Sequence, residues 1–232
     1  MRTTHTGTQN QYQAKRLTAT KIIVTAMLCG FTLNSCDDHT AIDANIYTGH
    51  ILCTDGSVIT EGEMEQQGKT AAAVVFYSSY TDTESEVLAV GLTELKAMTF
   101  SDTIGVSQGT SADTDAMDGN SNTYNLFSNT KAYSELANAV FDIWTYGQSA
   151  YIPSVAELRL LEAVREQVNP IIKRCGGDTI STAASSCWYW SSTEVSGQED
   201  AKAWLFSLGS GTMHETPKTE AHPARYIVKI EK

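Results

Sequence analysis

Two short phrases in the last third of the chain constrain its fold more than any other feature. Residues 151–158 read YIPSVAEL, and residues 188–194 read WYWSSTE. In the first phrase, Pro153 fixes its own backbone and disfavours a helical Ile152, so an extended segment should end there. Ser154 precedes Glu157 by three residues, which is the spacing of a capping box at a helix N-terminus. A helix is therefore predicted to begin at Val155.

This predicted helix is amphipathic. Apolar residues recur at spacings of three and four and should form one buried stripe, made of Val155, Leu158, Leu161, Val164 and Val168. Charged residues between them are expected to face water, namely Glu157, Arg159, Glu162, Arg165 and Glu166. Asn169-Pro170 should interrupt the helix, and Gly176-Gly177 should supply a left-handed stop.

The second phrase is predicted to be a strand, because its aromatic residues favour extended structure and small polar residues bound it. Residues 203–208 and 225–230 form two more such runs, and the three runs together predict an antiparallel sheet. The aromatic side chains suit core packing, with stacking against a ligand as the alternative.

The first half of the domain predicts further strands and one more helix. Residues 71–77 and 87–92 are buried-strand patterns, separated by a polar, hairpin-like segment around residues 81–84. After a long polar loop, Asn122 can cap a helix whose apolar positions keep helical spacing as far as Trp144. Two main helices and six or seven strands predict an α+β domain.

The order of these features resembles a known family of bacterial proteins. The residues that carry the resemblance are Pro153, Ser154, Glu157, Leu158, Gly176, Gly177, Tyr189, Trp190, Ser191, Ser192, Thr193, Glu194, Ala203, Trp204, Gly211, Lys218 and Arg225. They resemble secreted and lipid-anchored proteins with a C-type-lectin-like fold, which is shared with formylglycine-generating enzymes and retroelement-diversified variable proteins. The resemblance implies one such domain over residues 46–232, with its motifs strongest in 151–230.

The resemblance also implies where a ligand would bind. In this fold the segment between the Trp-Ser-Ser strand and the final strand carries the exposed binding face. The candidate ligand-binding residues are Trp188, Glu194, Ser196, Gln198, Glu199, Asp200, Trp204, His214, Glu215, Lys218 and His222. The alternative is that these loops are only solvated.

The start of the chain has the pattern of a lipoprotein signal peptide. Lys15, Arg16 and Lys21 precede an apolar stretch, residues 22–33, that is too short to span a bilayer. The stretch ends in Leu33-Asn34-Ser35-Cys36, which resembles a lipobox. We therefore expect residues 1–35 to be removed, Cys36 to carry the lipid and residues 36–45 to be a tether. An ordinary secretory signal with an incidental cysteine is the alternative.

The net charge of the chain and the residues that follow Cys36 predict its partners and its location in the cell. Removal of residues 1–35 takes away four basic and no acidic residues, so the net charge falls from -11 to -15. Such an acidic surface argues against nucleic acid and anionic lipid headgroups as partners. Asp37-Asp38 directly after the lipidated cysteine resembles the surface-export signal of some diderm bacteria, so we expect an outer-membrane protein, lipid-anchored and facing the cell exterior. In other bacteria an Asp at this position retains a lipoprotein at the inner membrane, which is the alternative.

The remaining cysteines leave two arrangements open. Cys53, Cys175 and Cys187 are an odd set, so they cannot all pair within one chain. Cys175 and Cys187 flank a short loop, and a disulfide between them would contribute roughly 3 kcal/mol. Buried free thiols are the alternative.

The sequence predicts neither a catalytic site nor a metal site. Residues 113–120 are acidic, but their spacing departs from an EF-hand, which leaves a looser calcium site or a hydrogen-bonded turn. The histidines of the domain lack the spacing of a triad or a metal motif. We therefore expect no catalytic residue and no cofactor.

The predicted function is recognition, because the fold and the anchor place loops outside the cell. The chain is expected to be an adhesin-like lipoprotein that binds an extracellular glycan or protein without calcium. The alternative is a structural subunit of a surface filament, such as a pilus or fimbrial tip protein. A formylglycine-generating-type enzyme is a remote alternative.

Overall fold

The computed structural model describes residues 46–81, 85–145 and 148–230. In these residues the chain forms an α+β domain with four helices and ten strands. In chain order they are β1 (Ile51–Cys53), β2 (Val58–Ile59), α1 (Glu61–Gln67), β3 (Ala71–Tyr80), β4 (Ser85–Thr99), α2 (Gly119–Ser128), α3 (Glu135–Phe141), β5 (Trp144–Thr145), β6 (Gln148–Ser149), α4 (Val155–Arg174), β7 (Trp188–Glu194), β8 (Lys202–Ser207), β9 (Met213–Pro217) and β10 (Ala221–Ile230).

The strands form three antiparallel sheets. The largest has the order β10-β4-β3-β1-β2, the second has the order β7-β8-β9, and β5 and β6 make a short hairpin. The prediction of one sheet from the last three runs is wrong. Strand β10 pairs with β4 in the large sheet, and β9, a strand missed by the sequence analysis, takes the edge beside β8. The residues of β9, Met-His-Glu-Thr-Pro, lack the apolar alternation that identifies a strand.

The core lies on both faces of the large sheet. In β3, Ala73 and Val75 belong to one buried cluster, which includes Trp190 and Leu205 of the second sheet. Val74 and Phe76 belong to the other, which includes the buried stripe of α4. Because both faces are covered, β3 and β4 read as continuous apolar runs rather than alternating ones.

Helix α4 begins as the capping box predicts. Ser154 Oγ accepts a hydrogen bond from Glu157 N at 3.3 Å, and Glu157 Oε2 accepts one from Ser154 N at 2.7 Å. Gly176 follows the helix with a φ of 77°, which confirms the left-handed stop. Pro170 lies inside the helix, so the predicted interruption is wrong. Proline has no backbone N–H, so the helix lacks one hydrogen bond there, but the Pro170 side chain is exposed and the helix continues to Arg174.

Two charged residues of α4 do not face water as predicted. Glu157 is only 2% exposed, and Arg165 is buried. The Arg165 guanidinium donates to the Leu208 backbone oxygen and to Glu162 Oε1, which ties α4 to the end of β8. Long-range contacts thus turn two apparently surface positions into interior ones.

The predicted helix from Asn122 to Trp144 is in fact two short helices. Asn122 lies inside α2, and Trp144 lies in β5. Asn129 Oδ1 accepts from the backbone N–H groups of Lys131 and Ala132, which ends the first helical segment in a turn. Ser134 then caps α3 by accepting from Ala137 N at 3.0 Å. Local side-chain hydrogen bonds outcompete the continuous apolar spacing.

A glycine in β4 allows the close packing of an aromatic ring. A Cβ atom placed on Gly91 would lie 2.0 Å from the ring of Tyr226, a buried residue of β10. We expect Gly91→Ala to lower the free energy of unfolding by about 1–3 kcal/mol, because the ring must move in a packed core.

Urea unfolding measures this effect, with Gly62→Ala as the control. Gly62 lies in α1, and its added Cβ would meet nothing within 4 Å. This control should be neutral or stabilising by up to about 1 kcal/mol, because alanine favours helix. Equal midpoints for Gly91→Ala and the wild-type protein would contradict the packing argument.

Candidate functional site

Two predicted ligand-binding residues form a buried ion pair. Lys218 and Glu194 have fully buried side chains and contact each other directly. Lys218 Nζ also donates to the backbone oxygens of Glu199, at 2.5 Å, and Val106, at 3.3 Å. Burial lowers the pKa of Lys218, while the contact with Glu194 opposes that shift. Neither side chain reaches the surface, so both are structural residues rather than ligand contacts.

This pair holds a long loop against the second sheet. The Glu194 carboxylate also accepts from Gln108 N at 2.9 Å and from Ser107 Oγ at 3.4 Å. Lys218 Nζ lies 5.5 Å from the centre of the Phe100 ring. The pair therefore joins the segment after β4 to the ends of β7 and β9.

Several other predicted residues meet on one face of the second sheet. Directly opposite residues of an antiparallel pair share a face. Trp204 is opposite Glu215, and Phe206 is opposite Met213, so these four side chains lie on the same side. Phe206 belongs to the α4 cluster, Trp204 and Met213 are half-buried and pack against it, and Glu215 is exposed. We call the partly exposed part of this side the β8–β9 face, defined by Gln198, Lys202, Trp204, Met213 and Glu215.

The polar groups of the β8–β9 face are linked to one another. Lys202 Nζ lies 3.0 Å from Glu215 Oε2, and Gln198 Nε2 donates to the same oxygen at 3.1 Å. The hydrogen bond from Lys202, followed by that from Gln198, lowers the pKa of Glu215. Because the pair is solvent-exposed, it contributes little to stability and can exchange its partners at low cost.

Helix α4 extends the β8–β9 face through the side chain of Arg159. Arg159 of α4 donates to Asp115 Oδ1 at 2.7 Å and to the Thr114 backbone oxygen at 2.8 Å. Its other terminal nitrogen lies 3.7 Å from Met213 Sδ. A thioether and a half-buried indole are therefore flanked by exposed side chains of both charges.

The remaining predicted residues lie elsewhere. His214 is on the opposite side of the sheet, with its ring 6.2 Å from that of the half-buried Trp188. The His222 ring lies 5.3 Å from the ring of Trp190, which is a core residue. The remaining members lie in the turn between β7 and β8, where Ser196 and Asp200 are exposed and Glu199 Oε1 accepts from Gly197 N at 2.9 Å. The sequence-predicted set is thus divided between two sides of the sheet.

The acidic loop uses its oxygens within the protein. Asp113 Oδ1 accepts from Asp115 N at 2.9 Å, and Asp118 Oδ1 accepts from Asn122 Nδ2 at 2.7 Å. Within residues 46–81, 85–145 and 148–230, no group of three metal-ligating side chains is present. The geometry favours the hydrogen-bonded turn.

The three cysteines of the domain are free thiols. Cys187 Sγ lies 3.2 Å from Ser207 Oγ in a buried hydrogen bond, and no bond joins it to Cys175. This arrangement is the free-thiol alternative. Cys36 and the whole of residues 1–45 lie outside the described residues, as do residues 82–84 of the hairpin-like segment.

The sequence analysis missed a second surface, on α2. Asn120, Ser121, Tyr124 and Asn125 line an open depression with a volume of 410 Å³. Lys202, which pairs with Glu215, was also missed, because no sequence motif connects the two residues. Residues 119–130 carry no charge, but residues 143–156 and 179–193 are longer uncharged runs, so no sequence signal distinguishes the α2 surface.

A scan against models of protein families gave no match. A search of curated proteins likewise gave no relative. Within the described part of the chain, no helix has the length and apolar character needed to cross a membrane.

Proposed function

We propose that the protein is a lipid-anchored bacterial surface protein whose domain recognises an extracellular ligand without catalysis and without calcium. The observation that carries the proposal is the β8–β9 face. On this face the half-buried Trp204 lies opposite Glu215, which pairs with the half-buried Lys202, and the exposed Arg159–Asp115 pair adjoins Met213. A rigid three-stranded sheet and α4 hold these groups in place, which is how recognition surfaces are usually built.

The arrangement of elements supports the finer proposal of a C-type-lectin-like fold. The last strand, β10, returns to pair with β4 of the first half, and α4 begins at the Ser154 capping box. Strand β7 contains the Trp-Ser-Ser-Thr-Glu sequence, and the segment between β7 and β10 holds the β8–β9 face.

The chemistry of the β8–β9 face favours a protein ligand. It presents cations and anions together with a thioether, so it can match a partner of mixed charge. Without residues 1–35 the chain has a net charge of -15, so an acidic polymer such as nucleic acid would be repelled. Exposed ion pairs contribute mainly to specificity and association rate in such interfaces.

Growing the cells with a labelled fatty acid tests whether Cys36 carries a lipid anchor. We expect the full-length protein to incorporate the label and Cys36→Ala to lose it. Protease treatment of intact cells should remove the domain if it faces outwards. A protein that stays unlabelled, or that resists protease until the cells are broken, would contradict the surface-anchor part of the proposal.

Recognition is tested with purified full-length chain on an array of secreted and extracellular-matrix proteins. Lys202→Glu should weaken binding about tenfold, because it removes a cation from the β8–β9 face. The double variant Lys202→Glu and Glu215→Lys keeps the internal pair but exchanges the charges. It should fold normally and still bind poorly.

Lys96→Glu, which makes the same charge change on an exposed position of β4, should bind as the wild-type protein does. Binding that is unaffected by the changes at Lys202 would refute the role of this face. If no array protein binds and loss of the chain alters the assembly of a surface filament, the structural-subunit alternative replaces recognition.

A further inference from the structure

We infer that the outer edge of β9 binds an extended segment of the protein ligand as an added antiparallel strand. The inference rests on the proposed β8–β9 face and deepens it, because it specifies how the backbone of the ligand binds beside that face. The segment that fits has an acidic, a basic and an apolar residue at alternate positions.

The hydrogen bonds between β8 and β9 show which backbone groups of β9 point inwards. Ser207 N donates to the Thr212 oxygen at 2.9 Å, and Lys218 N donates to the Ala201 oxygen at 3.1 Å. The two strands keep one register between these bonds, without a bulge. Inward and outward residues alternate along an antiparallel pair, so the even-numbered residues of β9 turn their backbone groups towards β8.

The odd-numbered residues Met213 and Glu215 therefore turn their N–H and C=O groups to the outer edge. Within residues 46–81, 85–145 and 148–230, β9 is the last strand of its sheet, and none of these four groups has a hydrogen-bond partner. Two donors and two acceptors in one row match the backbone of an extended chain. The row ends at Pro217, which has no N–H and whose oxygen accepts from Glu220 N at 3.0 Å.

The opposite edge of the same sheet is covered by the protein itself. On β7, Ser192 N donates to the Pro153 oxygen at 2.8 Å, and Glu194 N donates to Thr110 Oγ1 at 3.3 Å. Proteins usually cover such edges, because free backbone groups pair with other chains. A strand can therefore be added to this sheet at β9 and not at β7.

The side chains beside the open edge determine which sequence fits. An added antiparallel strand places one residue opposite each of Pro217, Glu215 and Met213, in that order, with its side chain on the β8–β9 face. Lys202 lies opposite Pro217 on β8 and shares this face, so an acidic residue fits first. A basic residue then contacts the exposed Glu215 carboxylate, and an apolar residue contacts the Met213 thioether.

A foreign segment fits this edge better than a second copy of β9 does. Two antiparallel copies can use all four groups only if Glu215 of each copy lies opposite Met213 of the other, which leaves neither carboxylate opposite a cation. Without residues 1–35 each copy also has a net charge of -15, so the two copies repel each other. A row of two residues is also too short for continued growth of the sheet.

Amide hydrogen exchange of the full-length chain, followed by NMR, tests the inference. The probe is the acetylated peptide Thr-Asp-Thr-Lys-Thr-Val-Thr at about 10 mM, because we expect a Kd of about 1 mM from a few backbone hydrogen bonds and two charge contacts. The peptide should slow exchange of the Met213 and Glu215 amides about tenfold. The His214 and Thr216 amides, which point towards β8, should be protected with and without the peptide.

N-methylated peptides separate backbone pairing from binding through side chains. The Lys amide of the added strand donates to the Glu215 oxygen, so its methylation should weaken binding about tenfold. The amide of the preceding Thr points away from β9, so its methylation should change the affinity by less than about threefold. Exchanging the Asp and Lys of the peptide should weaken binding about tenfold, because like charges then face each other.

On the protein, Glu215→Pro removes the outward N–H and leaves the hydrogen bonds between β8 and β9 in place. The matched variant Glu215→Ala loses the same side chain but keeps the N–H. Glu215→Pro should bind the peptide about tenfold more weakly than Glu215→Ala. Urea unfolding of both variants checks that each is folded, and the methylated peptides test the same hydrogen bonds on the unchanged protein.

Three results would overturn the inference. The first is protection of the Met213 and Glu215 amides in the free protein, since another part of the chain or a second copy would then occupy the edge. The second is no slowing of their exchange by the peptide. The third is equal binding of the two methylated peptides.

The strand-addition site and the proposed function fail separately. If Lys202→Glu weakens binding of an array protein but the peptide does not protect the edge amides, the β8–β9 face stands and strand addition falls. If the peptide protects these amides but Lys202→Glu has no effect on any array protein, the edge site stands and the proposed protein-binding role of the face falls.

Discussion

Lys218→Ala is expected to lower the free energy of unfolding by about 3–5 kcal/mol, because it leaves the Glu194 carboxylate buried without its cation. Both side chains are fully buried, so bulk water does not solvate the carboxylate that is left. The backbone oxygens of Glu199 and Val106 also lose their donor. Urea unfolding of the variant and the wild-type protein at neutral pH measures the difference.

Lys202→Ala is the matched control for this prediction. It breaks a lysine–glutamate pair of the neighbouring strands, at 3.0 Å, but in solvent. Its cost should stay below about 1 kcal/mol. Comparable costs for the two lysines would contradict the assignment of Lys218 as a buried anchor.

The double variant Lys218→Met and Glu194→Leu separates charge from packing. It removes both buried charges, so it should cost less than the sum of the two single changes. Some loss should remain, because Gln108 N and Ser107 Oγ lose the carboxylate that accepts their hydrogen bonds. If the loss of unfolding free energy in the double variant equals the sum of the losses in the two single variants, the two side chains act independently.

The protein is expected to become less stable as the pH rises from 4.5 to about 7, because Glu157 must ionise inside the domain. Burial is the largest cause that raises the pKa of Glu157, from 4.5 to about 7. A folded-state pKa above the unfolded value means that the native state binds the proton more tightly. The associated stability is fully present below pH 4.5 and is lost as the pH passes about 7. The expected loss is roughly 3 kcal/mol.

The surroundings of Glu157 explain why the proton is retained. Tyr151 Oη donates to Glu157 Oε1 at 3.2 Å, and the Ser154 amide donates to Oε2. These hydrogen bonds favour the ionised form, but burial and the nearby Asp118 oppose it. Burial also raises the pKa of Asp118, so the two carboxyl groups act in the same direction.

Glu157→Gln tests this pH dependence. Glutamine can replace glutamate in a capping box, so the helix start is preserved while the titration is removed. The unfolding free energy of the variant should depend less on pH than that of the wild-type protein, and the variant should be the more stable of the two above pH 7. Urea unfolding midpoints across this pH range measure both effects.

Glu63→Gln provides the control in an exposed capping box. Thr60 and Glu63 make the same reciprocal contacts at the start of α1, where Glu63 is exposed. Hydrogen bonds from Thr60 lower the pKa of Glu63, so its titration lies below the tested range. The unfolding free energy of Glu63→Gln should therefore fall with rising pH as steeply as that of the wild-type protein. A flat wild-type profile, or an unchanged slope in Glu157→Gln, would contradict the prediction.

Local features of the sequence predicted individual elements well. The Ser154–Glu157 spacing placed the start of α4, and aromatic and apolar runs identified β3, β4, β7, β8 and β10 as strands. These signals depend on hydrogen bonds and periodicities within a few residues. The same signals failed where a local competitor intervened, as at Asn129 and Ser134 between α2 and α3.

The candidate site was only partly predictable. Trp204 and Glu215 lie together because β8 and β9 pair in one register, and Lys202 joins them from the same face. Lys218 and Glu194 matched the same sequence pattern but lie in the interior. Residue type alone could not distinguish a surface charge from a buried one.

The sequence by itself therefore determined the α+β class, the helix start at Val155 and most of the strands. Only the tertiary structure decided that β10 joins β4 rather than β8 and that Glu157 and Glu194 are buried. The physical reason is the range of the interactions. Glu194 is joined to Lys218 across 24 residues and to Gln108 across 86, and no local pattern encodes such contacts.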